Sequence, residues 1–316
     1  MNKTKLMFAL LASLALGACS SDDDELTSQL NQEPSFPLTI EVTENPMTID
    51  GKDGSGAKRA AIATNSSITG FTMNYVYGTT PSTGSATATK DSEGKWSSSD
   101  GWPYDAASND YMVTWYASTY NNFQYNSGTP YINFEVEEAA ASQHDLLVAT
   151  ASGTYSGTGG NLSFTFDHPC SAVRFWVKKS TNIIDKTLTV SSIVLKNVIK
   201  TGKYYYGTAS WTLGATSTDY TLLSSAQTLA SDSYVLLNGS ENDSYLFLIP
   251  QTLTAWNPTG ELNNTYLELT CSINGGGSQT AYIPFAATFA KGTKYDVKIN
   301  IGKNSLYSSP NTKVIP

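Results

Sequence analysis

Apolar side chains along this chain recur mostly at every second position. In FPLTIEV, residues 36–42, Phe36, Leu38, Ile40 and Val42 alternate with outward positions. That is the period of a half-buried strand. Pro37 falls among the outward positions, and because proline has no N–H to give a ladder, the pattern predicts an edge strand. FTMNYVYG at 71–78 repeats the alternation with Phe71, Met73, Tyr75 and Tyr77. Further strands are expected at 94–99, 111–118, 131–136, 144–151, 187–198, 203–211, 245–251, 265–273, 279–285 and 294–301. In LSFTFDHPCSAVRFWVKK, Leu162, Phe164 and Phe166 share one parity while Val173, Phe175 and Val177 share the other. The phase therefore changes at a bend or bulge around His168-Pro169. Gly275-Gly276-Gly277 reads as a hairpin turn. No stretch holds a 3.6-residue apolar period for three turns, so the expected fold is all-β, built of sandwiches with little helix.

A length of 316 residues suits two such domains in tandem. The small, Gly-rich TYSGTGGN at 154–161 is the expected linker. It divides the chain into domains at 35–157 and 158–316, behind a polar stretch at 19–34. Charged residues make up 15% and hydrophobic ones 40% of the chain, a globular mix. The net charge of −8 comes without any basic stripe. This excludes nucleic acid as a natural partner and argues against charge-driven binding to an anionic membrane.

The N-terminus changes the picture. MNKTKLMFALLASLALGAC carries Lys3 and Lys5 ahead of an apolar run from Leu6 to Leu16, too short to span a bilayer. Leu16-Gly17-Ala18-Cys19 resembles a bacterial lipobox. The expected chemistry is cleavage between Ala18 and Cys19 of the signal, residues 1–18, and lipidation of Cys19. Acyl chains such as palmitate on that residue anchor the protein to a membrane, stably when there are two or more. SSDDDE at 20–25 follows as a solvated acidic tether. Loss of Lys3 and Lys5 takes the mature charge from −8 to about −10.

Candidate chemistry is sparse. Only His144 and His168 are present, with no HExxH, and both are expected to be structural, His144 as a hydrogen-bonded residue beside a strand and His168 at the bend before Pro169. GKDGSGAK at 51–58 has Ala57 where a phosphate-binding loop needs lysine. The acidic clusters 22–25 and 135–138 read as tether and strand surface, with Glu135 and Glu137 on one face and Glu138 turned away. Cys170 and Cys271 read as buried thiols, unpaired rather than bridged. No metal site, cofactor or enzyme activity is expected. Of the six tryptophans, Trp102 in DGWPYD and Trp256 in TAWNP lie in loop-like contexts and are the candidates for an exposed sugar platform.

Several stretches together resemble the Bacteroidetes fimbrillin family, the Mfa-like and FimA-like type V pilin lipoproteins. They are the lipobox with its acidic tether, Arg59 ahead of the first firm strand, QHDLLVA at 143–149, LSFTFDHPCSAVRFWV at 162–177, FLIPQ at 247–251 and FAKGTKYDVKINI at 289–301. The resemblance implies two transthyretin-like sandwich domains and a lipoprotein precursor on the outer face of the outer membrane that becomes part of a fimbrium. It also implies cleavage by a trypsin-like maturation protease, which would fall between Arg59 and Ala60. The first strand would leave, and a strand from another fimbrial subunit would fill its groove by strand addition. Here the departing edge strand is Phe36, Leu38, Ile40 and Val42. These four apolar side chains give about 6–12 kcal/mol of gross burial, an upper bound. Backbone ordering costs about 1–2 kcal/mol per residue, so the strand is weakly held once its tether is cut. The tail GKNSLYSSPNTKVIP is short, polar and broken by Pro310. It makes a poor donor, which favours a tip or accessory subunit with a role in adhesion to a host or bacterial surface glycan or protein. The alternative is a surface glycan-binding lipoprotein of the outer membrane.

Overall fold

The computed structural model describes residues 36–44, 48–49, 67–139, 142–223, 225–230, 232–237 and 245–302. The first half holds β1 (Thr39–Glu44), β2 (Thr48–Ile49), β3 (Gly70–Tyr77), β4 (Ser82–Lys90), β5 (Trp96–Ser98), α1 (Tyr104–Ser108), β6 (Val113–Ser118), β7 (Phe123–Asn126), β8 (Thr129–Glu135), β9 (Val148–Gly153), α2 (Tyr155–Thr158) and β10 (Asn161–Phe166). The second half holds β11 (Ser171–Lys179), β12 (Leu188–Ile199), β13 (Thr201–Tyr205), β14 (Ser210–Leu213), β15 (Ser217–Leu223), β16 (Gln227–Leu229), β17 (Val235–Leu236), β18 (Leu246–Leu248), β19 (Gln251–Leu253), β20 (Tyr266–Ile273), β21 (Gln279–Pro284), β22 (Ala287–Phe289) and β23 (Thr293–Ile301). The fold is all-β, and among the described residues helix is confined to short turns.

Two buried clusters organise these strands. The first lies between the antiparallel sheet β5-β4-β3-β6-β9 and the pair β1-β10. Phe71, Met73, Ala86, Ala88, Val113, Trp115 and Ala117 from the sheet meet Ile40, Val42, Leu162, Phe164 and Phe166 from the pair. The second cluster lies between sheets centred on β11-β23 and β12-β20. Val173, Phe175 and Val177 share it with Val297, Ile299, Leu267, Leu269 and Cys271. The hairpin β7-β8 pairs with β13-β14 and sends Ile132 and Phe134 into this second core.

The chain changes cores where the sequence changes phase. Phe166 is buried in the first cluster and Cys170 in the second. A similar phase change inside β12 has a local cause. Its register against β20 shifts between Val190 and Ser192. This bulge brings Leu188 and Val190 to the same core as Ile193 and Leu195, although the parity differs. The stretch TYSGTGGN, expected to be a linker, instead forms α2. Thr154 Oγ1 caps it by accepting from Gly157 N–H, and Gly159 closes it at φ 62°. It leads directly into β10, still within the first core.

Lys179 continues the inward parity of Val173, Phe175 and Val177 and is only 2% exposed. Its ammonium donates to the carbonyls of Ile184 (3.0 Å), Lys186 (2.7 Å) and Ala230 (3.3 Å). All three donors are used, which is what makes a buried ammonium tolerable. Lys179→Ala leaves three carbonyls without that donor, and the expected loss is about 3 kcal/mol or more. Thermal unfolding followed by circular dichroism checks this, with the exposed Lys186→Ala as the near-neutral control.

Candidate functional site

The strand predicted at FPLTIEV is β1. Its alternation is kept: Ile40 is 5% and Val42 8% exposed, Phe36 and Leu38 are half-buried, and Pro37, Thr39, Glu41 and Thr43 face outward. β1 runs parallel to β10, from Thr39 opposite Asn161 to Glu44 opposite Phe166. Ile40 thus neighbours Leu162, Val42 neighbours Phe164, and outside them the Thr43 and Thr165 hydroxyls meet at 3.0 Å. Behind the pair, the Phe71 ring packs on Phe164 at 5.6 Å and Phe166 at 4.9 Å. Among the described residues β10 is the ladder partner of β1, and a short parallel ladder is slightly weaker per residue than an antiparallel one. Without β1, the apolar row Leu162-Phe164-Phe166 and the β10 backbone face an open groove, a template for another strand.

The other anticipated site residues fall as follows. Ala18, Cys19, Arg59 and Ala60 lie outside the described residues. Trp102 is not an exposed platform: it is 3% exposed, with its ring 5.7 Å from Trp115 and 5.9 Å from Tyr155. The DGWPYD loop folds inward because its indole closes the end of the first core. Trp256 is half-buried, lies 5.8 Å from Tyr266 and 6.4 Å from Tyr282, and donates its ring N–H to Gly260 O.

Glu138 does not turn away from Glu135. Both carboxylates hold Lys200, at 2.7 Å from Glu135 and 2.9 Å from Glu138. These hydrogen bonds, Glu135's first, push the Lys200 ammonium up to about 12. Among the described residues no cluster of His, Cys, Asp and Glu is placed to hold a metal, and no helix is long and apolar enough to cross a membrane.

The histidines need one correction. His144 is exposed, while its neighbour Asp145 is buried and holds His168 through Nδ1 at 2.7 Å. The pair sits where the chain passes between cores, beside the Val148–Asp167 bridge. The quoted stretches QHDLLVA and LSFTFDHPC therefore meet in space. FLIPQ and FAKGTKYDVKINI join them there. Gln143 Oε1 accepts from Phe247 N–H at 2.7 Å, and Gly292 N–H donates to Cys170 O at 2.9 Å. Gln251 Nε2 donates to Ile199 O and Ile249 O. These stretches form a structural seam between the two cores. Cys170 and Cys271 are free and buried. Burial, followed by the Asp145 charge, pushes the Cys170 thiol well up, and burial takes that of Cys271 to about 11. Such thiols are poor nucleophiles.

The fimbrillin-like family matches residues 48–314, spanning this seam and both cores. The chain belongs to that family. A fimbrial protein from Bacteroides vulgatus has the same fold at 15% identity, with a TM-score of 0.57 over 84% of this chain and 95% of its own. Weaker likenesses are a candidate cell adhesion protein from Bacteroides ovatus (14% identity, TM-score 0.49, 87% of this chain and 95% of that one) and a fimbrial assembly protein from Parabacteroides distasonis (11%, 0.42, 84% and 91%). No curated protein matches the chain. In this fimbrillin-like chain β1 lies outside the matched span, so its role rests on its own geometry.

Proposed function

We propose that this protein is a cell-surface fimbrial subunit that accepts a strand from a neighbouring subunit in place of β1. The reading combines family membership with one local observation. β1 is a pendant strand, laid parallel on β10 with two side chains buried in the first core, and the chain that follows it pairs briefly with β23 at Thr48 and Ile49 before it reaches Arg59. In this scheme the precursor is exported on a lipidated Cys19 to the outer face of the outer membrane. A trypsin-like protease cuts between Arg59 and Ala60, the first strand leaves with the lipid, and the groove takes a donor. The two buried clusters support a division into two sandwich domains. The polar, Pro310-broken composition of residues 302–316 suits a tip or accessory position, where adhesion to a host or bacterial surface would be exercised. A glycan-binding lipoprotein is the lesser reading, because of its two candidate platform residues Trp102 is buried and Trp256 is half-buried.

The test is Arg59→Ala in cells that assemble fimbriae. The expected result is a protein retained as the full lipidated precursor, with SDS-resistant polymers containing it lost. Normal polymers carrying the uncut variant would sink the proposal.

A further inference from the structure

The start of β1 is held differently from the rest of it. Phe36 sits in an aromatic box, with its ring 5.0 Å from Tyr155, edge to face, and 5.7 Å from Tyr104. Trp102 floors the same corner through its contact with Tyr155. The backbone there is gripped on two sides. Trp102 N–H donates to Phe36 O at 2.8 Å, and Thr39 N–H donates to Gly160 O at 2.9 Å. Two glycines make the slot. A Cβ on Gly101 would collide with the Phe36 carbonyl oxygen, and one on Gly160, whose φ is +80°, would stand 2.6 Å from the Pro37 carbonyl oxygen. The slot therefore fits a bare main chain passing between the DGW loop and the turn after α2.

These features have a direction. The box and slot lie only at the N-terminal end of β1, beyond the first ladder pair of Thr39 with Asn161. Further along, the pockets are those of Ile40 and Val42, lined by aliphatic and Phe side chains. Resting on the strand-acceptor reading, we infer that the groove selects its incoming strand at this end. The donor is an extended segment of a neighbouring subunit, running parallel to β10. It places an aromatic side chain in the Tyr104–Tyr155 box and aliphatic side chains two, four and six residues later. Tyr104, Tyr155, Trp102, Gly101 and Gly160 are its specificity-determining residues. Aromatic packing rewards the right side chain beyond its burial, and the slot rejects a strand that cannot present its backbone there.

Thiol trapping tests this even when affinity is low. The full chain carrying Thr165→Cys is cleaved after Arg59 and mixed, in a glutathione buffer, with synthetic peptides of residues 36–44 carrying T43C. The Thr43 and Thr165 hydroxyls already meet at 3.0 Å, so a bound parallel peptide forms a mixed disulfide. The native-order peptide should trap strongly. Peptides with F36A or with the reversed order should trap at least about tenfold less. Gly101→Ala in the protein, where φ is ordinary, should weaken trapping of the native peptide by a similar factor. The peptide changes leave the protein untouched, so a misfolded Gly101 variant does not cloud the outcome. Equal trapping of native, F36A and reversed peptides overturns the inference while leaving strand acceptance intact. No trapping of any peptide overturns the acceptor reading, and this inference with it.

Discussion

A cysteine pair replacing Thr43 and Thr165 is expected to close β1 onto β10 and to hold fimbrial assembly at zero until a reductant is added. The two threonines are ladder partners on outward positions, with hydroxyls 3.0 Å apart. Side chains so placed on neighbouring strands can reach disulfide geometry with small adjustment. The native thiols of Cys170 and Cys271 are buried and do not compete. In the oxidised variant the protease still cuts after Arg59, but the released segment stays bonded to the body through position 165. The groove remains filled, so no donor enters. Reduction lets β1 leave and should restore the SDS-resistant ladder. Polymer formation by the oxidised, cut protein, with the disulfide verified by mass, would mean that β1 is not the strand that leaves.

Ile40→Asp should open the groove without any cut. Ile40 is 5% exposed and sits opposite Leu162, within a cluster of aliphatic and aromatic side chains. A carboxylate set among those apolar side chains costs several kcal/mol if it stays. Because β1 is pendant, the molecule can escape by releasing it, so the penalty is capped at the docking energy of β1. The second core should hardly notice. Hydrogen exchange is the discriminating readout. Amides of β10 should lose protection by about tenfold or more, while those of β12 and β20 keep theirs. The outward change Glu41→Gln should move neither. Uniform loss of protection across both cores would mean that β1 is part of one cooperative unit and not a detachable strand.

Much of this site could be read in the sequence because it is written in large side chains. The alternation of Phe36, Leu38, Ile40 and Val42 gave the inward face of β1, and Pro37 marked its outward side. The phase change at His168-Pro169 marked the passage between cores, and the triple glycine gave the β20-β21 hairpin. What escaped was written in small residues or in long-range pairing. β4, STGSATATK, turns only Ala86 and Ala88 inward, so its alternation carries almost no hydrophobic contrast. The run 203–211 looked like one strand but is the hairpin β13-β14, folded back by a turn that includes Ala209 at φ 48°. YLFLIPQ divides at Pro250 into β18 and β19, which join different sheets. The partner of β1 lies 122 residues away at the Thr43–Thr165 contact, and Asp145 finds His168 across 23. Periodicity says which way a side chain faces; it does not say what it faces.

Trp102 shows the same limit. DGWPYD has the composition of an exposed loop, yet the Trp102 indole closes the end of the first core and the Trp102 main-chain N–H holds the Phe36 carbonyl at the start of β1. The aromatic box for Phe36 is assembled from α1 and α2, two short turns with no periodic signal of their own. Local chemistry identified the strand, and only the fold revealed its receptor.

The most direct test is mass spectrometry of the N-terminus of this protein in polymers sheared from intact cells. The account predicts a dominant species beginning at Ala60, with residues 19–59 absent. A dominant species beginning at lipidated Cys19, with β1 still attached, would contradict it.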